Sequence, residues 1–316
     1  MEIAIAVALV LVGFFLLMWS ADILVDNASH LASNLGISTF LVGIVIVGFG
    51  TSAPELFVSA MAALENKGNL ALGNALGSNI TNIGLVLGSA ALIRSLTVQR
   101  STAVKDIPIV IAISILAIIL VADGLLSFID GLILLGTLAA YLIWSVFAAK
   151  TGAKLNTENT PAASSGSNAK FAAFTIISIV ILMAASKMLV TGAVTIAEYF
   201  GVGELVIGLT IVAIGTSLPE LAAAIAAARK GVHDMIIGNI IGSNIFNTLG
   251  VLGITGMLRA TNIDTSALWR DFPVMLAFTV LMMVFAITKG SFSRKEGGIM
   301  LTGYLAYLAY LTATSI

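Results

Sequence analysis

The sequence has no cysteine, only two histidines and few charged residues. Of its 316 residues, 10% are charged and 59% are apolar, whereas about a quarter of the residues in a soluble domain are charged. Without cysteine, disulfides, thiolate metal sites and a cysteine nucleophile are excluded. The net charge of −1 says nothing about partners, and no nucleic-acid partner is expected. A mean hydropathy of +1.09 instead predicts an all-α membrane protein whose surroundings are the lipid bilayer.

The hydropathy pattern predicts ten transmembrane helices of roughly 20 residues each. They are expected near 3–22, 38–64, 70–92, 106–122, 128–149, 171–190, 203–228, 235–257, 271–288 and 298–315. Residues 3–19 have the length of a signal peptide, but Glu2 precedes them where a basic segment would stand. We therefore expect a retained first helix, followed by a helical extension lying along the membrane interface.

One long segment of the chain is an internal repeat. The sequence from Gly50 to Gly88 recurs from Gly215 to Gly253, at an offset of 165 residues and without a gap. The repetition predicts a first repeat at 1–149 and a second at 171–316, with five helices in each. Between them, residues 150–170 are rich in Ser, Asn, Thr and Ala and are predicted to form a flexible cytoplasmic linker.

The basic residues predict how the chain is oriented. Eleven of the fifteen Lys and Arg residues fall on the side of the membrane that holds the linker. By the positive-inside rule that side is cytoplasmic, so both termini are expected outside the cytoplasm, in a multi-pass protein of the cell membrane. Because each repeat has an odd number of helices, the second must cross the membrane upside down relative to the first. Such inverted repeats are typical of transporters with a binding site between the repeats.

The first motif is GTSAPE at 50–55 and GTSLPE at 215–220. Proline lacks an N–H, so Pro54 and Pro219 leave the carbonyls of Gly50 and Gly215 without their usual helical donors. Hydroxyl groups stand beside these carbonyls, on Thr51, Ser52, Thr216 and Ser217. Carbonyl, hydroxyl and carboxylate oxygens suit Ca²⁺ and Na⁺ better than softer metals.

The second motif is GNALGSNITN at 73–82 and GNIIGSNIFN at 238–247. Ser78 and Asn82 lie four residues apart and share a helix face, and so do Ser243 and Asn247. Asn74 and Asn239 extend the same two stripes by one turn. The glycines form a small-xxx-small surface on each helix, which lets another helix approach closely.

The acidic residues of the first motif are the strongest indication of function. Glu55 and Glu220 are predicted inside transmembrane helices, where a charged side chain costs roughly 3 kcal/mol or more. No basic residue is predicted at their depth, because the Lys and Arg residues cluster at helix ends. A mobile cation or a proton is therefore expected to neutralise the two carboxylates.

The doubled motifs resemble the repeats of the sodium/calcium exchangers of the cation/calcium antiporter superfamily, over nearly the whole chain. The short linker is similar to that of prokaryotic members. The resemblance implies ten transmembrane helices. In that arrangement, helices 2, 3, 7 and 8 form a core around the ions, and long helices 1 and 6 slide across this core. The resemblance also implies central carboxylates at Glu55 and Glu220. The other implied ligands are Thr51, Ser52, Thr216 and Ser217, the backbone of Gly48 and Ala213, the outer Na⁺ ligands Ser78 and Ser243, and the amide of Asn82.

One position departs from part of the family. Some relatives, including potassium-dependent exchangers, carry Asp where this chain has Asn247. The departure speaks against K⁺ co-transport and leaves the Na⁺ stoichiometry open.

The leading hypothesis is antiport of Ca²⁺ against Na⁺ by alternating access, with Ca²⁺/H⁺ antiport as the alternative. A passive channel is disfavoured by inverted repeats, and an intramembrane enzyme by the lack of a catalytic motif. Neither a resident cofactor nor a second protomer is expected.

Overall fold

The computed structural model describes residues 2–152, 166–201 and 213–314, which are almost entirely helical. The helices are α1 Glu2–Leu35, α2 Thr39–Thr51, α3 Ala53–Leu64, α4 Gly68–Ile93, α5 Thr102–Leu120, α6 Phe128–Gly152, α7 Asn168–Tyr199, α8 Ala213–Thr216, α9 Leu218–Lys230, α10 His233–Leu258, α11 Ala267–Lys289 and α12 Arg294–Thr314. Four two-residue strands connect some of them: β1 Leu96–Thr97, β2 Leu125–Leu126, β3 Thr261–Asn262 and β4 Ser291–Phe292.

The protein is an all-α membrane protein. Among the described residues, seven helices are long and apolar enough to cross a membrane, and the bent pair α2 and α3 raises the number to eight. Helix α12 forms where the tenth span is predicted, but its tyrosines and glycines make it less apolar than the seven. The predicted span at 203–228 lies partly outside the described residues. The ten-helix count therefore stays a prediction.

The linker prediction also falls largely outside the described residues. Helix α6 continues to Gly152 and α7 begins at Asn168, so Lys150 and Lys170 lie in helices. Residues 153–165 of the predicted linker are not described.

The predicted division of the first helix into a span and an interfacial extension is wrong. A separate extension along the membrane interface was expected, but one uninterrupted helix runs from Glu2 to Leu35. Leu24, Val25 and Ala28 in this region are fully buried in the protein. The apolar spacing there is therefore explained by helix packing, which has the same 3.6-residue period as an interfacial helix.

The long helices α1 and α7 pack against each other along much of their length. A Cβ placed on Gly13 of α1 would lie 2.9 Å from the carbonyl oxygen of Ala185, and one on Gly192 of α7 would lie 2.5 Å from that of Ala6. Because the later residue of one helix meets the earlier residue of the other, the pair is antiparallel. The missing side chains allow this backbone contact, as small residues do in membrane helix pairs.

Helix α10 is the centre of the fold and is buried along almost its whole length. Its glycines contact α2: a Cβ on Gly238 would lie 2.3 Å from the carbonyl oxygen of Phe40, and one on Gly242 would lie 2.5 Å from that of Ile44. The predicted close approach is therefore confirmed for the second repeat. It brings the end of α2, which holds the first motif of repeat one, against the second motif of repeat two. The prediction is wrong for the counterparts Gly73 and Gly77, where a Cβ would meet nothing within 4 Å among the described residues.

The strands join the two halves of the chain. β1 pairs antiparallel with β4, and β2 pairs antiparallel with β3. By position in the repeats, β1 corresponds to β3 and β2 to β4, so exchanging the halves turns one strand pair into the other. Helix α5 separates β1 from β2, which puts the two pairs at opposite ends of that helix.

We expect Gly192→Ala to destabilise the protein, because the new methyl group would meet the backbone of α1 at 2.5 Å. Overpacking of this kind costs about 1–3 kcal/mol. The control is Gly136→Ala in α6, where a Cβ would meet nothing within 4 Å among the described residues. Thermal unfolding in detergent measures both variants, and equal midpoints would contradict the close contact of α1 with α7.

Candidate ion-binding site

Two helix breaks form the framework of the site. Helix α2 ends at Thr51, and α3 begins at Ala53 with a bend of 42° between them. Helix α8 ends at Thr216, and α9 begins at Leu218. The residues between, Ser52 and Ser217, have nearly the same backbone angles, with φ, ψ of −86°, 4° and −90°, 9°.

A proline explains each break. Pro54 and Pro219 stand in the first turn of the following helix, where a missing N–H is tolerated. The preceding helix cannot continue through the same proline, since the ring replaces a donor.

Glu55 and Glu220 stand in the first turns of α3 and α9. Helix N-termini favour negative charge, which helps to hold two acids at this depth. The side chains are 0% and 1% exposed, and the two carboxylates are close enough to interact electrostatically. Neither forms an ion pair with any Lys, Arg or His that the structure describes. The repeats therefore bring two uncompensated acids together.

The carboxylate oxygens are bound unequally. The Ser52 hydroxyl donates to Oε1 of Glu220 at 3.0 Å. The other oxygen of Glu220 and both oxygens of Glu55 have no hydrogen-bond partner among the described residues. The hydroxyl of Ser217, the repeat counterpart of Ser52, is also buried and unpartnered there. The two half-sites are thus alike in sequence and different in contacts.

Gly48 lies beside three donors. Its carbonyl oxygen accepts the backbone N–H of Ser52 at 3.1 Å and the hydroxyl of Ser243 at 3.3 Å. The Thr51 hydroxyl donates mainly to the Val47 carbonyl, at 2.9 Å, and is 3.5 Å from that of Gly48. An ion at the Gly48 carbonyl would meet both hydroxyls as well.

The remaining predicted residues are divided between both halves. Ser78, Asn82 and Asn247 are 3%, 1% and 0% exposed. Thr216 is half-buried in α8, and Ala213 begins that helix immediately after residues that are not described.

The amides at the centre include residues that the sequence reasoning left out. The Asn82 amide nitrogen donates to Oδ1 of Asn244 at 3.1 Å, and Oδ1 of Asn82 has no partner among the described residues. Asn79, the counterpart of Asn244, instead donates to the Thr248 hydroxyl at 2.8 Å. Both amide atoms of Asn247 are unpartnered among the described residues. The Ser-Asn pair within each motif was the available signal for Asn79 and Asn244.

Asn74 and Asn239 also lie beside the helix breaks. Asn74 donates to the backbone carbonyl of Glu55 at 3.2 Å and to the Ser59 hydroxyl at 2.9 Å. The Thr51 hydroxyl is 3.4 Å from Oδ1 of Asn239. These amides connect the second motif of each repeat to the first motif of repeat one, at 50–55.

The Gly215 carbonyl, which was predicted to lack its usual helical donor, has a donor on another helix. The Ser186 hydroxyl of α7 donates to this oxygen at 2.7 Å, in place of the N–H that Pro219 lacks. A Cβ on Gly215 would lie 2.3 Å from Val190, so α7 passes directly over the break. The counterpart of Ser186 in the first repeat is Ala21, which has no hydroxyl.

The donor set fits a hard cation. Within the described ranges, no cluster of three or more His, Asp and Glu side chains occurs. The site instead combines two carboxylates with neutral hydroxyl, amide and carbonyl oxygens, which are the usual ligands of Ca²⁺.

Comparison with known proteins agrees with this chemistry. The family model described as sodium/calcium exchanger protein matches residues 5–147 and again residues 170–313. The chain belongs to the sodium/calcium exchanger family. It is therefore a Ca²⁺ antiporter of that family, a multi-pass membrane transporter and not an enzyme.

Individual relatives align over nearly the full length. The chain is 41% identical to the putative antiporter CaxA of Alkalimonas amylolytica, covering 96% of this chain and 97% of CaxA. It is 30% identical to the sodium/calcium exchanger MaX1 of Methanosarcina acetivorans, covering 96% and 97%. A structure of the sodium-calcium exchanger NCX_Mj soaked with Na⁺ and Sr²⁺ superimposes with a TM-score of 0.85 at 30% identity, covering 97% of this chain and 98% of that one.

We expect Ser186→Ala to destabilise the protein by about 1–3 kcal/mol, the usual cost of a buried carbonyl that loses its donor. Ser178→Ala is the matched control, because Ser178 is buried on the same helix and donates at 2.7 Å to the Phe174 carbonyl of its own helix. Thermal unfolding in detergent compares the two. A smaller loss for Ser186→Ala than for Ser178→Ala would contradict a role for Ser186 at the break.

Proposed function

We propose that this antiporter exchanges Ca²⁺ for Na⁺ by alternating access, with both ions bound at Glu55 and Glu220. The observation that carries the proposal is the pair of fully buried carboxylates, contributed by the two repeats, with no basic partner among the described residues. A Ca²⁺ ion carries the charge that balances both. Three of their four oxygens have no protein donor there, which leaves them available to a cation.

The neutral oxygens supply the remaining coordination in this proposal. Ser52 and Ser217 stand at the two breaks, with Thr51 and Thr216 one residue before them. The backbone of Gly48 and Ala213, the hydroxyls of Ser78 and Ser243, and the amides of Asn82 and Asn247 complete the set. Na⁺ ions spread over these groups, whereas Ca²⁺ depends on the carboxylates.

Competition for the glutamates couples the two fluxes. The empty site would carry two negative charges through a low-dielectric barrier, which is strongly unfavourable. Either Ca²⁺ or Na⁺ must therefore be bound when the site changes sides, so the ions exchange rather than leak. Because Asn247 is neutral, no third acid demands a further cation such as K⁺.

Inverted repeats and ten transmembrane helices are part of the proposal. The strand pairs support the inversion: β1 of the first repeat meets β4 of the second, while their counterparts β3 and β2 meet elsewhere. Since α5 separates β1 from β2, equivalent loops of the two repeats lie at opposite ends. The positive-inside rule then places both termini outside the cytoplasm, at the cell membrane. One chain supplies every proposed ligand, so the monomer is the functional unit and no resident cofactor is needed.

Ca²⁺/H⁺ exchange is the second candidate. Both oxygens of Glu55 lack a donor among the described residues, and protonation would neutralise them without any cage of oxygen ligands. The hydroxyls and amides around the acids favour Na⁺, because they contribute little to holding a proton.

We expect Glu55→Gln and Glu220→Gln each to reduce Ca²⁺ exchange in reconstituted vesicles by at least about a hundredfold, since half of the site's charge disappears and Ca²⁺ affinity follows ligand charge. The control is Glu198→Gln, which neutralises an exposed acid near the end of α7. Monodisperse elution in detergent checks folding. Ca²⁺ flux near the wild-type rate in either folded variant would refute the proposed site.

The coupling ion is tested by Ca²⁺ uptake driven by a Na⁺ gradient or by a pH gradient alone. We expect the Na⁺ gradient to drive uptake. The double variant Ser78→Ala and Ser243→Ala should weaken activation by Na⁺ more than Ca²⁺ binding, because the serines contribute no charge.

Ser114→Ala is the matched control for the serine pair, since Ser114 is equally buried but donates within α5. Uptake that follows the pH gradient and ignores Na⁺ would favour the proton alternative.

A further inference from the structure

Equivalent helices of the two repeats are packed differently. Helix α1 packs along α9, whereas α7, the counterpart of α1, makes no comparable contact with α3 among the described residues. The same difference is visible side chain by side chain. Phe57, Val58 and Met61 of α3 are 68%, 40% and 41% exposed, while their counterparts in α9, Ala222, Ala223 and Ala226, are 2%, 3% and 0% exposed.

An ion-pair cluster stands at the closely packed end. The Lys230 ammonium, at the end of α9, lies 2.7 Å from Oδ1 of Asp26 and 3.8 Å from Oδ1 of Asp22. It also donates to the backbone carbonyl of Asp22 at 2.7 Å. Both acids belong to α1, so the cluster ties α1 to α9.

The counterparts of these residues carry the opposite charges. Residue 65, equivalent to Lys230, is Glu65 at the end of α3, and residue 187, equivalent to Asp22, is Lys187 on α7. The counterpart of Asp26 is Thr191, so only a single pair is available on this side.

That second pair is not formed in the structure. Lys187 is exposed and has no ion pair with any residue that the structure describes. Glu65 accepts from Lys67 at 2.8 Å, and this ammonium holds the pKa of the Glu65 carboxyl below its ordinary value. Glu65 is therefore ionised at neutral pH and its present partner is an exposed residue of the same loop.

We propose that Glu65 and Lys187 form an ion pair in the opposite-facing state, when α7 closes on α3, while Lys230 releases Asp22 and Asp26. The proposal rests on the alternating access and inverted repeats of the proposed function. In an inverted-repeat transporter, exchanging the conformations of the two repeats converts one facing state into the other. The charge-reversed pairs then act as alternating latches, one for each state.

The latches set the balance between the states. With two acids around Lys230 and one around Lys187, the state shown here has the larger electrostatic stabilisation. Exposed ion pairs contribute little free energy, so the loss of one should shift the ratio of the two states by about two- to fivefold.

The lack of native cysteine allows a direct test by thiol labelling. A cysteine at Val58, which is 40% exposed while its counterpart Ala223 is 3% exposed, reports the state shown here through its rate of reaction with an impermeant reagent added outside intact cells. Lys187→Gln and Glu65→Gln should each increase that rate and Lys230→Gln should decrease it, as expected when the ratio of the two states shifts about two- to fivefold. Glu198→Gln, also on α7, is the control and should change nothing.

A variant of Lys67 distinguishes a latch formed by Glu65 and Lys187 from a local contact between Glu65 and Lys67. If Glu65 served only its bond with Lys67, Glu65→Gln and Lys67→Gln would act alike. The latch requires opposite effects, because loss of Lys67 frees Glu65 for Lys187 and slows labelling. The combination of Glu65→Lys with Lys187→Glu should restore the wild-type rate. Changes of the same sign from Glu65→Gln and Lys67→Gln would overturn the proposal.

Cross-linking gives a second measure that needs no ion flux. Cysteines at positions 65 and 187 should be joined by a short bifunctional thiol reagent, and more so when Lys230→Gln is added. No cross-link in either background would overturn the latch. Unchanged labelling with intact Ca²⁺/Na⁺ exchange would reject the latch alone. Shifted labelling and cross-linking without Na⁺-driven exchange would reject the proposed function and retain the latch.

Discussion

The structure depends on one constraint: two carboxylates, Glu55 and Glu220, share a buried space without a fixed positive partner. Burying an ion in a protein interior costs several kcal/mol even after relaxation, and a second ion of the same sign adds repulsion. A structural role would have been served by a lysine or arginine at the same depth. No basic side chain in the described part of the chain forms an ion pair with either glutamate. An exchangeable cation is therefore the natural counter-charge.

The backbone is broken where these acids need support. The helices are interrupted at Ser52 and Ser217, one turn before the glutamates. The proline that follows each break has no N–H, so the preceding helix cannot continue through it. The helix N-termini created in this way point partial positive charge toward the carboxylates. The glycines of α10 then let α2 approach until the Ser243 hydroxyl reaches the Gly48 carbonyl. Break, charge and close packing are thus parts of one arrangement.

Much of this arrangement is predictable from sequence because it is local. The repeat offset identifies the paired glutamates, and the prolines stand two residues after the breaks at Ser52 and Ser217. The bond from Ser186 to the Gly215 carbonyl was not predictable, since it depends on how α7 crosses α8. The bond from Asn79 to Thr248 likewise depends on packing between the repeats. Its counterpart from Asn244 cannot form, because position 83, which is equivalent to 248, is Ile and offers no hydroxyl. The continuous α1 was missed because interfacial and packed helices share one apolar period.

The proposed alternating access needs both the sequence symmetry of the repeats and the asymmetry of their contacts. Two identical halves in identical environments would leave the site equally open, or equally closed, to both sides. Ser52 instead binds Glu220 while Ser217 and Glu55 remain unpartnered among the described residues, and Ala222 is buried while Phe57 is exposed. In the proposed alternating access, each half adopts one of two packings that its sequence permits. Because the halves are so alike in sequence, the proposed opposite state would have a comparable free energy, and differential binding of ions would then be sufficient to select between the two.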